Sequence, residues 1–220
     1  MSEENLEGAA LALSLASKLV YCEPTDADLA MYRESRLFEG APFGEGDEAV
    51  GAGLGLLGAF CSREGSGEDA RSDWFMVFVG AGEPKAPSWA GYYLNANSQL
   101  FGESTLGVRH AYARHGFELE RKNSEPDDNL GIMLGFIAHL ASMELRPASD
   151  AAALRAEQAA MLKDYILPWI CTWRWSVGEK SKTDYSRGIG ELVFGLIRAY
   201  AARFGFKYHG GENPHFTLVA

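Results

Sequence analysis

The most constraining feature of this chain is an apolar run at residues 131–141 that directly follows an acidic segment at residues 125–129. Four side chains recur at helical spacing along this region and form one inward face: Leu130, Leu134, Ile137 and Ala141. Such a face needs other helices to cover it. The sequence therefore predicts a long buried helix over residues 126–145.

The acidic segment has the composition of a helix start. Ser124 is placed to accept a hydrogen bond from the backbone N–H of Asp127. Pro126 loses no helical hydrogen bond so close to the start of a helix. The carboxylates of Asp127 and Asp128 complement the positive end of the helix dipole. We therefore expect the helix to begin at Pro126 with an acidic first turn.

Helical signals extend along almost the whole chain. Predicted helices cover residues 5–21, 25–37, 47–62, 103–115, 126–145, 150–166, 168–177 and 184–204, and residues 74–79 form the end of another helix. Predicted connections cover residues 40–46, 65–69 and 178–183, and Gly116 and Gly205 stand where left-handed caps end helices. Prolines and glycines make residues 80–102 an irregular loop. The sequence therefore predicts an all-α fold, a compact multi-helix bundle in one domain spanning residues 1–220.

Charge and cysteine content narrow the class of partner and the compartment. The net charge of −10 disfavours a nucleic acid as partner and favours a basic one. The three cysteines, Cys22, Cys61 and Cys171, are widely spaced and odd in number, which is typical of a reducing cytosol. Acidic residues precede the apolar stretch at residues 9–20, where an export signal needs positive charge, and no apolar run reaches the length of a membrane span. We therefore expect a cytoplasmic protein that is not an integral membrane protein.

Five motifs occur in a fixed order: WFMVFVG at residues 74–80 with Pro84, Pro87, Trp89 and Tyr93; LFGESTL at residues 100–106 with Arg109, Tyr112 and Gly116; EPDDN at residues 125–129; LPW at residues 167–169; and Tyr185. Together they resemble the TorD/DmsD/NarJ family of cytoplasmic maturation chaperones for molybdenum oxidoreductases, and the DmsD branch most closely. The resemblance is weakest before residue 70 and after residue 205. It implies a TorD-like helical bundle that holds no cofactor and is not an enzyme.

The resemblance also implies a binder for a twin-arginine leader peptide, which offers two guanidinium groups and then an apolar segment. Such a binder needs a groove of large apolar side chains, since these give much contact area for few frozen torsions. The residues predicted to line this groove are Trp74, Val77, Phe78, Trp89, Tyr93 and Phe101. Carboxylates bind arginine bidentately, and the predicted acidic rim consists of Glu103, Glu125, Asp127 and Asp128, next to Asn129.

Two departures from the family pattern bear on the ligand. Asn129 stands where the family usually has a histidine, so a role that needs a titratable imidazole does not carry over. Gly82 stands where the DmsD branch can carry a tryptophan. The implied client is the apo catalytic subunit of a molybdopterin oxidoreductase of the DMSO-reductase type. The implied task is to hold the leader or this subunit until cofactor insertion, before export, with transient contact to the export machinery.

Two other functions stay open on the sequence. A NarJ-like member would bind only the mature body of its client. Residues 53–58 (GLGLLG) match the spacing of a dinucleotide fingerprint, but no hydrophobic strand precedes them, so a helical nucleotide-binding enzyme is the less favoured alternative. The five histidines have no metal-ligand spacing. The connection at residues 178–183 is compatible with a monomer and also with a dimer whose protomers exchange their last helix, so the sequence leaves both states open.

Overall fold

A computed structural model describes residues 1–80, 82–117, 119 and 125–219, so the predicted cap at Ser124 lies outside the described residues. Within them the α-helices are α1 (Glu3–Tyr21), α2 (Asp26–Glu34), α3 (Glu48–Cys61), α4 (Gly67–Trp74), α5 (Ala90–Leu94), α6 (Glu103–Arg114), α7 (Leu130–Glu144), α8 (Ala151–Met161), α9 (Ile170–Lys180) and α10 (Asp184–Ala202). π-helical turns extend α4 over Phe75–Val79 and α8 over Leu162–Ile166, and a 3₁₀ turn covers Ala96–Ser98. Two strands, β1 (Phe206–His209) and β2 (His215–Leu218), form a small hairpin. The predicted all-α fold is confirmed, with this hairpin as an addition.

Several predicted boundaries are wrong. α2 ends at Glu34 instead of residue 37, because Arg36 adopts a left-handed backbone with a φ of 54°. α4 begins inside the predicted connection at residues 65–69, and the short α5 interrupts the predicted irregular loop at residues 80–102. α9 continues to Lys180, so the connection to α10 is limited to residues 181–183.

The core lies where α10 packs on α3 and where α1 packs on α7. Glycines allow the close approach of α3 and α10. A Cβ on Gly53 would lie 2.4 Å from the backbone nitrogen of Leu192, and a Cβ on Gly188 would lie 2.8 Å from the side chain of Leu57. The glycine-rich stretch at residues 53–58 therefore serves helix packing. It lies inside α3, and the described residues place no strand before it that could form the βαβ unit of a dinucleotide site.

The C-terminal hairpin was not predicted, because it lies beyond the last recognisable motif. Its strands pair antiparallel, with Phe206 opposite Leu218. Tyr208 packs edge-on against Phe194 of α10 with ring centroids 5.2 Å apart, and Phe216 lies 5.3 Å from the Tyr208 ring. These aromatic contacts on α10 stabilise a two-stranded sheet that would be only marginally stable alone.

Asp73 ties the end of α4 to the start of α10. Its buried carboxylate accepts hydrogen bonds of 2.8–3.1 Å from the backbone N–H groups of Lys182 and Thr183 and from the Thr183 hydroxyl. Thr183 in turn caps α10 by accepting from the N–H of Ser186. These bonds position the π-helical turn that follows Trp74, and this turn forms one wall of the site described next.

Candidate functional site

The acidic segment is not the first turn of a helix. α7 begins at Leu130, and its N-cap is Asn129, whose side-chain oxygen accepts from the N–H of Gly131 at 2.8 Å. The prediction that the helix begins at Pro126 is therefore wrong. Residues 125–129 instead run across the chain near residue 89: the N–H of Leu130 donates to the carbonyl of Ser88 at 2.6 Å, on one side of an isolated bridge between residues 89 and 129. Tertiary hydrogen bonds replace the helical ones that the sequence pattern predicted.

Asp128 is fully buried and holds three segments together. Its carboxylate accepts hydrogen bonds from the N–H of Gly91 at 2.7 Å, from the hydroxyl of Ser104 at 2.6 Å and from the hydroxyl of Thr105 at 3.1 Å. Both carboxylate oxygens are therefore occupied by donors from α5 and α6. Asp128 was predicted to belong to an acidic rim, and the structure places it beneath the surface instead.

Asp127 has a similar position. Arg109 of α6 donates two hydrogen bonds to its carboxylate, at 2.8 and 2.9 Å, and the hydroxyl of Tyr112 donates to its backbone carbonyl at 3.0 Å. Asp127 is only 2% exposed. The hydrogen bond with Asp127 raises the pKa of Arg109, and burial raises the pKa of Tyr112 well above its ordinary value. The carboxylate of Asp127, which was predicted to lie on an acidic rim, is thus already engaged in a bidentate pair with Arg109.

Six of the predicted site residues line one cavity of about 930 Å³: Trp74, Phe78, Trp89, Phe101, Glu125 and Asn129. The wall contributed by α4 and its π-helical turn is aromatic. The indole N–H of Trp74 donates to the carbonyl of Leu19 at 2.8 Å, and Phe78 stacks on Trp173 with centroids 5.9 Å apart. These contacts fix both rings from behind and leave their other edges toward the cavity.

The π-helical turn brings two further apolar side chains to the mouth of the cavity. Phe75 and Val79 line it and are 37% and 39% exposed. The wide turn closes through a bond of 2.6 Å from the N–H of Gly80 to the carbonyl of Phe75. π-helical turns of this kind occur frequently at functional sites. Here the turn lets residues 74, 75, 78 and 79 all reach one cavity.

The opposite wall comes from the segment before α6. Leu100 and Phe101 line the cavity and are 38% and 50% exposed. Phe101 has a left-handed backbone with a φ of 58°, a conformation that costs a residue other than glycine about 1 kcal/mol. Backbone strain of this kind concentrates at functional sites. Phe101 keeps this strained backbone although its ring is half-exposed. Burial of the ring therefore does not explain why the strain is tolerated.

Glu125 provides a carboxylate at the cavity. It accepts hydrogen bonds from the indole N–H of Trp89 at 3.3 Å and from the side-chain amide of Asn129 at 2.9 Å. Asn129 therefore acts through both ends of its amide, since its oxygen caps α7 and its nitrogen holds Glu125. Glu23 is the other acidic residue of the lining, and no lysine, arginine or histidine occurs among the described lining residues. The cavity is thus apolar with two carboxylates.

Three more predicted residues lie elsewhere. Val77 is fully buried in the core. Tyr93 donates its hydroxyl to the carbonyl of Pro87 at 2.9 Å and stacks on Trp169 at 4.6 Å, so burial raises its pKa and the ring is held inside the fold. Glu103 is exposed in the first turn of α6. None of these three belongs to the lining of the cavity.

Sequence reasoning missed the wall formed by the end of α1. Residues 20–23 line the cavity, and among them Tyr21 and Glu23 are exposed. A Cβ on Gly131 would lie 2.7 Å from the Cβ of Tyr21, so the end of α1 rests directly on the start of α7. The only signal in the sequence was an aromatic residue, Tyr21, at the end of an otherwise ordinary amphipathic helix. Phe75 and Val79 were also missed, although they follow Trp74 and Phe78 by one position each.

Three observations on the described residues concern metal binding, the state of the cysteines and membrane insertion. Among them no group of histidine, cysteine and carboxylate side chains has the arrangement of a metal site. Cys22, Cys61 and Cys171 are free thiols. No helix in the described part of the chain is long and apolar enough to cross a bilayer.

The fold matches a crystal structure from Archaeoglobus fulgidus that is described as a redox enzyme maturation protein. The TM-score is 0.51 at 16% identity, and the match covers 84% of this chain and 92% of that one. The chain therefore has the fold of that class of protein. Residues 44–173, more than half of the chain, match the family described as the nitrate reductase delta subunit. The chain belongs to this family, and the resemblance found in the sequence is confirmed.

Relatives within this family carry the names of chaperones. The chain is 23% identical over 138 residues to a protein of Haemophilus influenzae named as the Tat proofreading chaperone DmsD, and the match covers 63% of each chain. It is 34% identical over 76 residues to the Tat proofreading chaperone DmsD of Salmonella typhi, with 37% of that protein covered. It is 25% identical over 196 residues to the chaperone protein TorD of Vibrio cholerae O395, with 87% and 84% covered. The chain thus spans less than two thirds of the length of the DmsD proteins that it matches.

Proposed function

We propose that this protein is a cytoplasmic maturation chaperone that binds the twin-arginine leader of a molybdopterin oxidoreductase while the catalytic subunit receives its cofactor. One observation carries the proposal. An open cavity of about 930 Å³, lined by aromatic and aliphatic side chains, contains two carboxylates and no basic residue among its described lining. A leader that joins basic residues to an apolar segment is complementary to it in both respects.

The size of the cavity limits what it holds. Its volume lies near the top of the range of about 300–1,000 Å³ that is usual for small-ligand sites. It therefore accommodates a few large side chains and not a whole leader. The remaining apolar residues of the leader would lie along the exposed side chains at the mouth, namely Phe75, Val79, Leu100 and Phe101. Shallow binding of this kind suits a chaperone that must release its client.

The experiment is a fluorescence titration with the twin-arginine leader peptide of a molybdopterin oxidoreductase of the DMSO-reductase type. Phe101→Ala removes a half-exposed ring from the cavity mouth, and we expect it to weaken binding about tenfold, as loss of an aromatic contact of about 1.4 kcal/mol would. Leu106→Ala is the matched control, because Leu106 is 51% exposed but lies outside the lining. This control should leave the affinity unchanged.

Two other outcomes would redirect the proposal. Equal weakening of leader binding by Phe101→Ala and Leu106→Ala would place the peptide outside the cavity. Absence of binding to the leader at millimolar peptide, together with binding to the mature catalytic subunit, would reject leader recognition and select the NarJ-like alternative. The same titration with the mature subunit therefore belongs in the experiment.

A further inference from the structure

The two carboxylates of the cavity come from distant parts of the chain: Glu23 follows the end of α1, Glu125 precedes the start of α7, and both residues line the same cavity. Glu125 is bonded to Asn129, which caps α7 at Gly131. Gly131 in turn lies against Tyr21, and Glu23 follows two residues later and lines the same cavity. The two acidic residues thus flank the junction of α1 and α7, Glu23 by its place in the chain and Glu125 through Asn129.

The net charge at the junction of α1 and α7 is determined by its side chains. The C-terminal end of α1 lies beside the N-terminal end of α7, so the negative end of one helix dipole is offset by the positive end of the other. Within the described residues neither Glu23 nor Glu125 forms an ion pair. By contrast, the carboxylate of Asp127 is already paired with Arg109. Among the described residues, Glu23 and Glu125 are therefore the carboxylates of the cavity lining, and no ion pair there neutralises them.

The two glutamates differ in burial and in hydrogen bonding. Glu125 is half-buried and fixed by two donors, the Trp89 indole and the Asn129 amide, both of which bond to its Oε1. Glu23 is exposed at the end of a helix. A carboxylate held by two donors and an exposed carboxylate, both in the lining of one apolar cavity, suit a planar guanidinium that donates several hydrogen bonds in a fork. An ammonium group offers only a point charge with no preferred plane.

We propose that Glu23 and Glu125 form the subsite that binds the arginine side chains of the bound segment. Of the acidic rim that the sequence predicted, this subsite keeps Glu125 and leaves out Glu103, Asp127 and Asp128. The inference rests on the proposed function and adds to it the residues that recognise positive charge. It also gives the peptide a direction: its basic residues lie at the junction of α1 and α7, and its apolar residues lie toward Phe75 and Phe101.

The test uses two synthetic peptides and the full-length protein. One peptide carries Ser-Arg-Arg before about a dozen leucine and alanine residues, the length of a leader's apolar region. The other carries Ser-Gln-Gln before the same residues. We expect the wild type to prefer the arginine peptide about tenfold or more, as hydrogen bonds to charged groups allow. In the double variant Glu23→Gln, Glu125→Gln this preference, measured as the ratio of the two dissociation constants, should fall to about twofold.

The control is Glu7→Gln, which removes the same charge from the opposite end of α1 and lies outside the cavity. It should keep the preference of the wild type. Equal binding of the two peptides to the wild type, or a full preference for arginine in the double variant, would overturn the subsite and leave the apolar cavity as the binding site. Failure of both peptides to bind at millimolar concentration would overturn the proposed function as well as the subsite.

Discussion

Replacement of Asp128 by alanine separates a structural role of this residue from a role in binding. Asp128 is fully buried and accepts three hydrogen bonds from Gly91, Ser104 and Thr105. Hydrogen bonds to a charged group contribute about 1.5–3 kcal/mol each, and a buried donor left without a partner costs about 1–3 kcal/mol. The two hydroxyl groups can rotate to new partners, whereas the N–H of Gly91 cannot. We therefore expect Asp128→Ala to lower the free energy of unfolding by about 3–5 kcal/mol.

The assay is urea unfolding followed by far-UV circular dichroism, from which the free energy of unfolding is extrapolated. Asp128→Asn should cost less, about 1–2 kcal/mol, because its amide oxygen still accepts one of the bonds. Asp164→Ala is the control, since Asp164 is exposed and a surface change of this kind stays within about 0.5 kcal/mol. A loss of stability below about 1 kcal/mol in Asp128→Ala, combined with loss of leader binding, would contradict the structural role of Asp128 and assign its carboxylate to the ligand.

Three further results follow from the packing and the charges. Gly53→Ala should destabilise the fold by more than about 1 kcal/mol, because its Cβ would meet the backbone of Leu192. Gly55→Ala should instead raise stability by about 0.5–1 kcal/mol, because open space surrounds Gly55 on the same helix; thermal unfolding of both variants checks the difference. Burial alone would raise the pKa of Glu144, but hydrogen bonds led by that from Arg203 outweigh burial and lower it below the ordinary value of 4.5. The stability that Glu144 contributes is therefore present above pH 4.5 and is lost as the pH falls through the lowered pKa. In Glu144→Gln the urea midpoint should consequently fall less steeply with acidification than in the wild type. An equally steep fall in the variant would contradict this.

Local periodicity predicted most of the helices. α1, α6, α8 and α10 lie within a few residues of their expected ends, and the left-handed backbones of Gly116 and Gly205 were anticipated. These features depend on neighbours in the chain, which a sequence displays directly. The hairpin at the C-terminus was missed, because its aromatic residues gain stability only from contact with α10.

The acidic segment was misinterpreted for a physical reason. Carboxylates and a proline before an apolar run are typical of a helix start. In the fold, however, donors from α5 and α6 take up the carboxylates of Asp127 and Asp128, and the helix starts only at Leu130. Those donors come from residues 91–109, and no spacing rule connects them to residues 127 and 128.

The candidate site was predictable in part. The motifs grouped Trp74 and Phe78 with Trp89, Phe101 and Glu125, and the structure places all five at one cavity. Their part in binding stays a prediction. The end of α1 was not predicted to take part, because about fifty residues separate it from Trp74. Tertiary contacts bring it to the cavity, among them the packing of Tyr21 on Gly131 and the hydrogen bond from Trp74 to the carbonyl of Leu19.

The most direct test of the central claim is photo-crosslinking of a leader peptide that carries benzoylphenylalanine within its apolar segment, followed by mass spectrometric mapping. We expect attachment at the mouth of the cavity, at Phe75, Val79, Leu100 or Phe101, and competition by unlabelled leader. Attachment confined to another face, such as the hairpin of β1 and β2, would contradict the claim that this cavity holds the leader.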